Sequence, residues 1–272
     1  MQTLSAVNIH HFEQAVKSIG DYYRSIEMGF QVVLKGGKVA VLDQKEERKN
    51  GLYAIVFGTD QRLCGGFNEQ ITTYALERIN SSNTVENNNI LCIGLRTLAS
   101  LEEGKQNGAE VFPLPGSLAG VTSIVQQVVM AITDLQEVGK INRVMLFHHK
   151  LLSQISYKPH HITLLPLDRT WIDSVRQKKW PCHSLPSFTM DRDSLFSALF
   201  RQYMFVSIYR AFAESMASEN AARLLSMQSA EKNIEERLEQ LNALYRNERQ
   251  SSITSELLDI VSGFEALRTE KE

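Results

Sequence analysis

The fold of this chain is decided by residues 193–268, which read DSLFSALFRQYMFVSIYRAFAESMASENAARLLSMQSAEKNIEERLEQLNALYRNERQSSITSELLDIVSGFEALR. The stretch contains no proline and mixes polar and apolar residues without a break, so it predicts one helix from about Asp193 to Arg268. At 1.5 Å per residue, such a helix is roughly 110 Å long, several times the length of an ordinary globular helix. We expect a rod that extends beyond its own domain.

Composition places the chain among ordinary globular proteins, with 272 residues, 43% hydrophobic residues and a net charge of -2. No apolar run approaches the ~18 residues of a membrane span, and the first residues lack the features of a signal peptide. We therefore expect no direct membrane insertion. Three cysteines without CxxC spacing argue against a disulfide framework, and no basic patch favours nucleic acid.

The first 35 residues form a second amphipathic helix. Its apolar residues recur at spacings of three and four: Leu4, Val7, Phe12, Ala15, Val16, Ile19, Tyr23, Ile26 and Phe30. We expect this stripe to pack in an antiparallel coiled coil against apolar residues of the first part of the last helix, namely Leu199, Tyr203, Val206 and Phe212.

Between the two helices the pattern changes to short apolar runs separated by helical segments. The predicted strands are Leu52–Phe57, Ile90–Gly94, Glu110–Pro113 and Arg143–His148. The predicted helices are Phe67–Asn80, Leu95–Gln106 and Leu118–Val138, the last with Gly139 as its C-cap. Residues 151–167 predict one or two further strands, and residues 168–190, with Pro181 and Pro186, predict a surface connection.

The predicted fold class is therefore α/β. A Rossmann-like domain with a mainly parallel sheet is combined with a long antiparallel coiled coil of the N- and C-terminal helices. The predicted segments are 1–35 (first helix), 50–168 (α/β domain), 169–190 (connection) and 191–268 (last helix).

About half of the last helix has no partner in this chain, because the first helix is too short to cover it. Small residues between Ala217 and Ala230 permit close approach by another protein. The apolar tip from Ile253 to Phe264 is unlike a solvated helical face. We expect another protein to cover this half, a homodimeric coiled coil being one alternative.

Four segments carry a resemblance to a known family: residues 59–68 (TDQRLCGGFN), 214–223 (ESMASENAAR), 226–233 (SMQSAEKN) and 249–263 (RQSSITSELLDIVSG). In this order they resemble the gamma subunit of F-type ATP synthases, and the match spans nearly the whole chain. The resemblance implies a central rotor stalk that couples ion flow through a membrane ring to ATP synthesis or hydrolysis. It implies alpha and beta subunits, an epsilon subunit and the c-ring as partners, on the cytoplasmic face of the inner (plasma) membrane.

The resemblance also implies contact residues. Polar contacts with the alpha-beta hexamer fall on Arg223, Gln250, Thr254 and Glu256, for which a solvated helical face is the alternative. Apolar contacts in the hexamer bearing fall on Ile253, Leu257 and Val261. Contacts with the ring or epsilon fall on Tyr203, Phe205 and Tyr209.

The sequence departs from the family pattern at several places. About twenty residues of the family's first helix, roughly 30 Å of rod, have no counterpart before Met1. Arg62 replaces a usual glycine, Phe264 a usual small residue and Phe205 a usual glutamate. Residues 6–9 (AVNI), 21–24 (DYYR) and 60–65 (DQRLCG) are closer to the alternative, often sodium-linked, prokaryotic F-type ATPases.

Enzymatic alternatives are weaker. Residues 58–66 follow a strand as phosphate-binding loops do, but lack a Walker ending or a dinucleotide fingerprint. Cys64 has no His or Asp placed by sequence to activate it. A zinc site at His148-His149, His160-His161 and Cys182-His183 is disfavoured, because adjacent strand residues point to opposite faces. We predict no catalytic residue, cofactor or metal, and two hypotheses remain: a rotor subunit and a non-motor coiled-coil scaffold or truncated paralogue.

Overall fold

The computed structural model describes residues 2–35, 37, 51–81, 88–103, 110–115, 118–153, 156–180 and 186–269. The chain divides into two compact units, Met1–Leu225 and Ser226–Glu272. This division differs from the four segments expected from the sequence, because the first helix, the sheet and the early part of the last helix share one core.

The helices are α1 (Gln2–Lys35), α2 (Phe67–Ser81), α3 (Leu95–Glu103), α4 (Leu118–Glu137), α5 (Arg169–Gln177) and α6 (Arg192–Thr269). The strands are β1 (Gly51–Phe57), β2 (Asn88–Ile93), β3 (Glu110–Phe112), β4 (Ile141–Leu151) and β5 (Tyr157–Leu165). The two long terminal helices and the alternating α/β centre are therefore as predicted, with small differences at the ends of elements.

The five strands form one sheet in the order β3-β2-β1-β4-β5. Strand β1 pairs in parallel with β2 and β4, and β2 pairs in parallel with β3. Only β5 is antiparallel, and it pairs with β4 along the hairpin from Leu151↔Tyr157 to Val144↔Leu165. The mainly parallel sheet is confirmed, and residues 157–165 supply a single further strand.

Helices cover both faces of the sheet because its central strands are apolar on both sides. On β1, Tyr53, Ile55 and Phe57 join a core with α1, α4, α5 and α6, whereas Leu52, Ala54 and Val56 join a core with α2 and α3. Buried side chains of this size stabilise a fold by about 1.5–3 kcal/mol each. The sheet is therefore a rigid platform for the helices.

Helix α1 packs against the first part of α6 in antiparallel fashion. The rings of Phe30 and Phe196 are 5.4 Å apart, and those of Tyr23 and Tyr203 are 5.9 Å apart. A Cβ added at Gly29 would lie 2.7 Å from Leu199 Cδ2, so this glycine permits the close approach of the two helices. The predicted pairing is confirmed at Leu199 and Tyr203.

The far end of the predicted pairing is confirmed only in part. Phe212 packs edge-on against Phe57 of the sheet, with ring centroids 5.0 Å apart. Leu4 and Val7, at the start of the predicted stripe, are 66% and 54% exposed. Phe12 of α1 is buried and shares a core with Phe212 and the sheet, so α6 packs on both α1 and the sheet here. The prediction of one apolar stripe did not include this second apolar face of α6.

The predicted connection at 169–190 contains a helix that the sequence analysis missed. Asp168 caps α5, and its carboxylate accepts a hydrogen bond from the Thr170 amide at 2.9 Å. Ile172 and Val175 are buried, and Trp171 packs against Phe30 with ring centroids 5.5 Å apart. The sequence does contain the capping residue and the apolar spacing of a helix. The prediction of a surface connection rested on the nearby prolines instead.

Gly139 ends α4 as predicted. Its φ of +71° is in the left-handed region, and its amide donates to the Gln136 carbonyl at 3.0 Å. Within the ranges described, no helix is long and apolar enough to cross a bilayer.

Candidate functional site

The motif at residues 59–68 forms a hydrogen-bonded loop at the carboxyl ends of three parallel strands. The Asp60 carboxylate accepts the Leu95 amide at 2.6 Å and the Leu114 amide at 2.9 Å. Thr59 and Asn68 bond to each other twice, through the Thr59 amide at 3.0 Å and hydroxyl at 2.9 Å. Asp60 thus places its own negative charge at the start of α3, where a phosphate-binding loop would hold an anion.

Backbone crowding beside this loop explains why position 94 is a glycine. A Cβ at Gly94, whose φ is +111°, would lie 2.8 Å from the Thr59 amide nitrogen. Leu63, at the tip of the loop, has a positive φ of 71° and is 60% exposed. The hydrogen bonds of Thr59, Asp60 and Asn68 therefore hold the two ends of the loop in place, while its tip at Leu63 faces solvent.

Arg223 connects α6 to this loop. Its guanidinium bonds to Glu219 and lies 3.6 Å from Cys64 Sγ, and the residue is only 8% exposed. Burial raises the pKa of Glu219, against the opposing effect of Arg223. Arg223 is buried and bonded within the first unit, so the alternative that it lies on a solvated helical face is wrong. Its contact with the hexamer stays a prediction.

The small-residue stretch of α6 also has an internal partner. Ala217, Ser218, Ala221 and Ala222 are all buried. The Ser218 hydroxyl donates to the His149 carbonyl at 3.2 Å, so the close approach is to strand β4. The expectation that another protein covers this stretch is wrong up to Ala222, because the sheet already covers it.

A buried polar network, not predicted from the sequence, joins β4 to α6. His148 Nε2 lies 2.9 Å from Glu214 Oε2, and Arg210 Nε donates to Glu214 Oε1 at 2.8 Å. Burial would raise the pKa of Glu214, but the hydrogen bonds from His148 and Arg210 lower it to about 2. No local sequence pattern predicts this network, because His148 and Glu214 are 66 residues apart in the chain.

His149 points to the opposite face of the sheet, as expected for its alternation with His148. Its ring lies 3.9 Å from that of Phe67, and neither ring nitrogen has a hydrogen-bond partner. Burial, together with the neighbouring His148, lowers the pKa of His149 to about 3, so the imidazole is neutral. Among the residues described, no three His, Cys, Asp or Glu side chains are grouped to hold a metal ion.

The predicted foot residues have different environments. Tyr203 is 8% exposed and lies in the core, with its ring 5.3 Å from that of Trp171. Phe205 and Tyr209 are half-buried, with rings 6.2 Å apart. Tyr203 therefore has little surface to offer a partner, whereas Phe205 and Tyr209 retain some.

The second unit carries the other predicted contacts. Every residue from 228 to 263 is exposed. Ile253, Leu257 and Val261 follow one another at intervals of four and are 48%, 58% and 53% exposed. Gln250, Thr254 and Glu256 lie on the same turns, and the Thr254 hydroxyl donates to the Gln250 carbonyl at 2.8 Å. Apolar side chains at helical spacing without cover are typical of an interface.

A Rossmann-like sheet whose terminal helices form an antiparallel pair defines the class, an α/β domain combined with a two-helix coiled coil. The family model described as ATP synthase matches residues 1–267. The chain therefore belongs to the ATP synthase family, as a member of its gamma-chain group.

Individual relatives agree. The chain is 24% identical over 275 residues to the ATP synthase gamma chain of Buchnera aphidicola subsp. Diuraphis noxia, covering 99% of this chain and 92% of the relative. It is 28% identical over 223 residues to the ATP synthase gamma chain of Wolbachia pipientis subsp. Culex pipiens, covering 80% of this chain and 75% of the relative. The predicted family is thus confirmed.

Solved structures share the fold. A chain of the Euglena gracilis mitochondrial ATP synthase, from the OSCP, F1 and c-ring structure, superposes with a TM-score of 0.58 at 16% identity, covering 97% of this chain and 96% of that one. A chain of the Tetrahymena thermophila central stalk and c-ring structure gives 0.52 at 20% identity, covering 84% and 99%.

Proposed function

We propose that this chain is the central rotor stalk subunit of an F-type ATP synthase, which couples ion movement through a membrane ring to ATP synthesis or hydrolysis in an alpha-beta head. The observation that carries the proposal is the family match over residues 1–267. In this role the chain transmits rotation to nucleotide sites on other subunits.

The exposed stretch of α6 suits this role. Ile253, Leu257 and Val261 give an apolar surface that turns inside a ring of other subunits, where smooth apolar contact resists rotation little. Gln250, Thr254 and Glu256 provide polar contacts that are made and broken as the shaft turns. An asymmetric shaft stabilises a different conformation of each nucleotide site, because differential contact shifts a conformational equilibrium.

The finer assignments belong to the same proposal. The alpha and beta subunits surround the distal part of α6, and the epsilon subunit and c-ring contact the first unit around Phe205 and Tyr209. The complex would place the chain on the cytoplasmic face of the inner (plasma) membrane, as a peripheral subunit.

Purification of a tagged chain from its native cells tests the proposal. We expect alpha- and beta-like chains and ATPase activity in the eluate, at the mass of an intact complex. Elution alone, or as a homo-oligomer without ATPase, would contradict the rotor proposal and favour the coiled-coil scaffold.

The polar contacts are tested in the same complex. We expect Gln250→Ala with Thr254→Val to lower the ATPase rate while the head is still retained. Glu248→Ala with Ser252→Ala is the matched control, because each position is two residues, or about 200°, around the helix from its counterpart. If both double variants lower the ATPase rate equally, Gln250 and Thr254 have no specific role as contacts.

A further inference from the structure

A cavity of about 450 Å³ opens between α1 and the end of α5, away from the loop and the networks described above. Three basic residues and one acidic residue line it: Arg24, Lys178, Lys179 and Glu27. The cavity therefore has an excess of two positive charges.

Only one of these cations is neutralised within the described ranges. Lys178 Nζ donates to both carboxylate oxygens of Glu27 at 2.6 Å. Arg24 and Lys179 are exposed and bond to no other residue that the structure describes. An anionic occupant would gain two unpaired cations whose side chains are long enough to reach it.

The rest of the lining is not that of a free-phosphate site. Tyr23, Met28 and Val175 give it apolar walls. Lys178, which lines the cavity, has its carbonyl at the end of α5, where it accepts from Gln31, a residue only 3% exposed, and from Lys35 at 3.3 Å. A carbonyl at the end of a helix repels a small multivalent anion, whereas backbone amides at a helix start attract one.

We propose that this cavity is a docking site for an acidic segment of a neighbouring subunit, in which an Asp or Glu side chain lies beside an apolar one. The carboxylate bonds to Arg24 and Lys179 at the rim, and the apolar side chain packs on Met28 and the ring of Tyr23, which are half-buried. The proposal rests on the chain being part of a larger complex, and charge complementarity selects the occupant.

Zero-length carbodiimide cross-linking of the purified complex, followed by peptide mass spectrometry, tests the proposal. The reagent joins an amine to a carboxylate only in direct contact, so the sequence of the linked peptide identifies the partner. We expect Lys179, or Lys178, to be joined to an Asp or Glu of another chain. The purified chain alone should give no intermolecular link at Lys178 or Lys179, and its internal Lys178–Glu27 link controls for reagent activity.

A complex that retains its alpha- and beta-like chains and forms the Lys178–Glu27 link, but no intermolecular link at either lysine, would overturn the docking site and leave the rotor proposal intact. A free phosphate or a lipid headgroup in the cavity would give that same negative result.

A charge variant gives an independent measure. Arg24→Gln with Lys179→Gln should weaken retention of the cross-linked partner about tenfold at moderate salt, since two partly exposed ion pairs are lost. Lys17→Gln with Lys140→Gln removes the same charge from exposed positions outside the cavity and should have no effect. Equal retention in the two double variants would contradict the proposal.

Discussion

Two stretches of α6 have the same backbone conformation and opposite environments. Every residue from 211 to 223 is buried, whereas every residue from 228 to 263 is exposed. The buried stretch holds Glu214 and Arg223 in internal ion pairs, and the exposed one has a looser pair, Lys232 with Glu236 at 3.8 Å. Tertiary packing thus stabilises the first stretch, whereas in the isolated chain the second stretch depends on helix propensity and local side-chain pairs.

The largest expected difference between the two stretches comes from removing one apolar side chain in each. Phe212→Ala deletes a fully buried ring that packs on Phe57, and should lower the free energy of unfolding by about 3–5 kcal/mol. Leu241→Ala, at a residue 50% exposed, should change it by less than about 0.5 kcal/mol. Urea unfolding of the purified chain measures the free energy of unfolding of both variants. A comparable loss in Leu241→Ala would show that the two stretches do not differ in packing.

His149 should make the first unit sensitive to mild acid. Its pKa falls from an ordinary 6.5 to about 3 in the folded chain, so the unfolded chain binds a proton first as pH falls. This contribution to stability is complete above pH 6.5 and is lost towards pH 3, at about 1.4 kcal/mol per pH unit.

His149→Leu should therefore lower the loss of stability between pH 7 and pH 5.5 by about 1 kcal/mol, measured by urea unfolding at each pH. His11→Leu, which removes an exposed histidine, should leave the loss unchanged. An unaltered pH profile in His149→Leu would show that the folded chain accommodates the charged imidazole.

Glu214 should affect the pH dependence of stability at lower pH than His149 does. Its folded pKa of about 2 is below its ordinary 4.5, so its stabilisation is present above pH 4.5 and is lost as pH falls towards 2. Glu214→Gln should lower the free energy of unfolding by roughly 1–3 kcal/mol at pH 7. It should also reduce the loss of stability as pH falls below 4.5. The matched control is Glu236→Gln, in the exposed pair, and should cost less than about 0.5 kcal/mol. Equal costs would mean that the buried network is as weak as a surface pair.

The smallest effect on the isolated chain should come from the distal apolar residues. Leu257→Ala, at a residue 58% exposed, should leave the unfolding transition within about 0.5 kcal/mol of its original value. In the assembled complex the same change should reduce the retention of head subunits. Unchanged retention would show that this side chain stays uncovered there too.

Much of the fold could be predicted from the sequence, because buried parallel strands and amphipathic helices have strong local patterns. Residues 51–57, for example, are apolar on both faces and form the central strand. The direction of β5 was not predictable from residues 157–165 alone, since pairing direction depends on the connection to β4. Helix α5 had a visible cap at Asp168, which the prolines beyond it obscured.

The candidate site was less predictable. The four motifs gave the family, but motif membership did not distinguish Arg223, bonded inside the fold, from Gln250, which is exposed. Contacts between His148 and Glu214, or between Arg223 and Cys64, join distant parts of the chain and leave no periodic signal. The resemblance implied a partner contact at Tyr203, although its spacing placed it on the packed stripe, and α5, unrecognised in the sequence, covers it.

A single-molecule rotation assay tests the central claim most directly. The complex would be fixed to a surface through its head, with a reporter particle attached to a cysteine introduced in place of exposed Lys158. On addition of ATP, the account predicts rotation in one direction, with three stops per turn from the three nucleotide sites that the family implies. ATP hydrolysis by a complex whose reporter does not rotate would contradict the account.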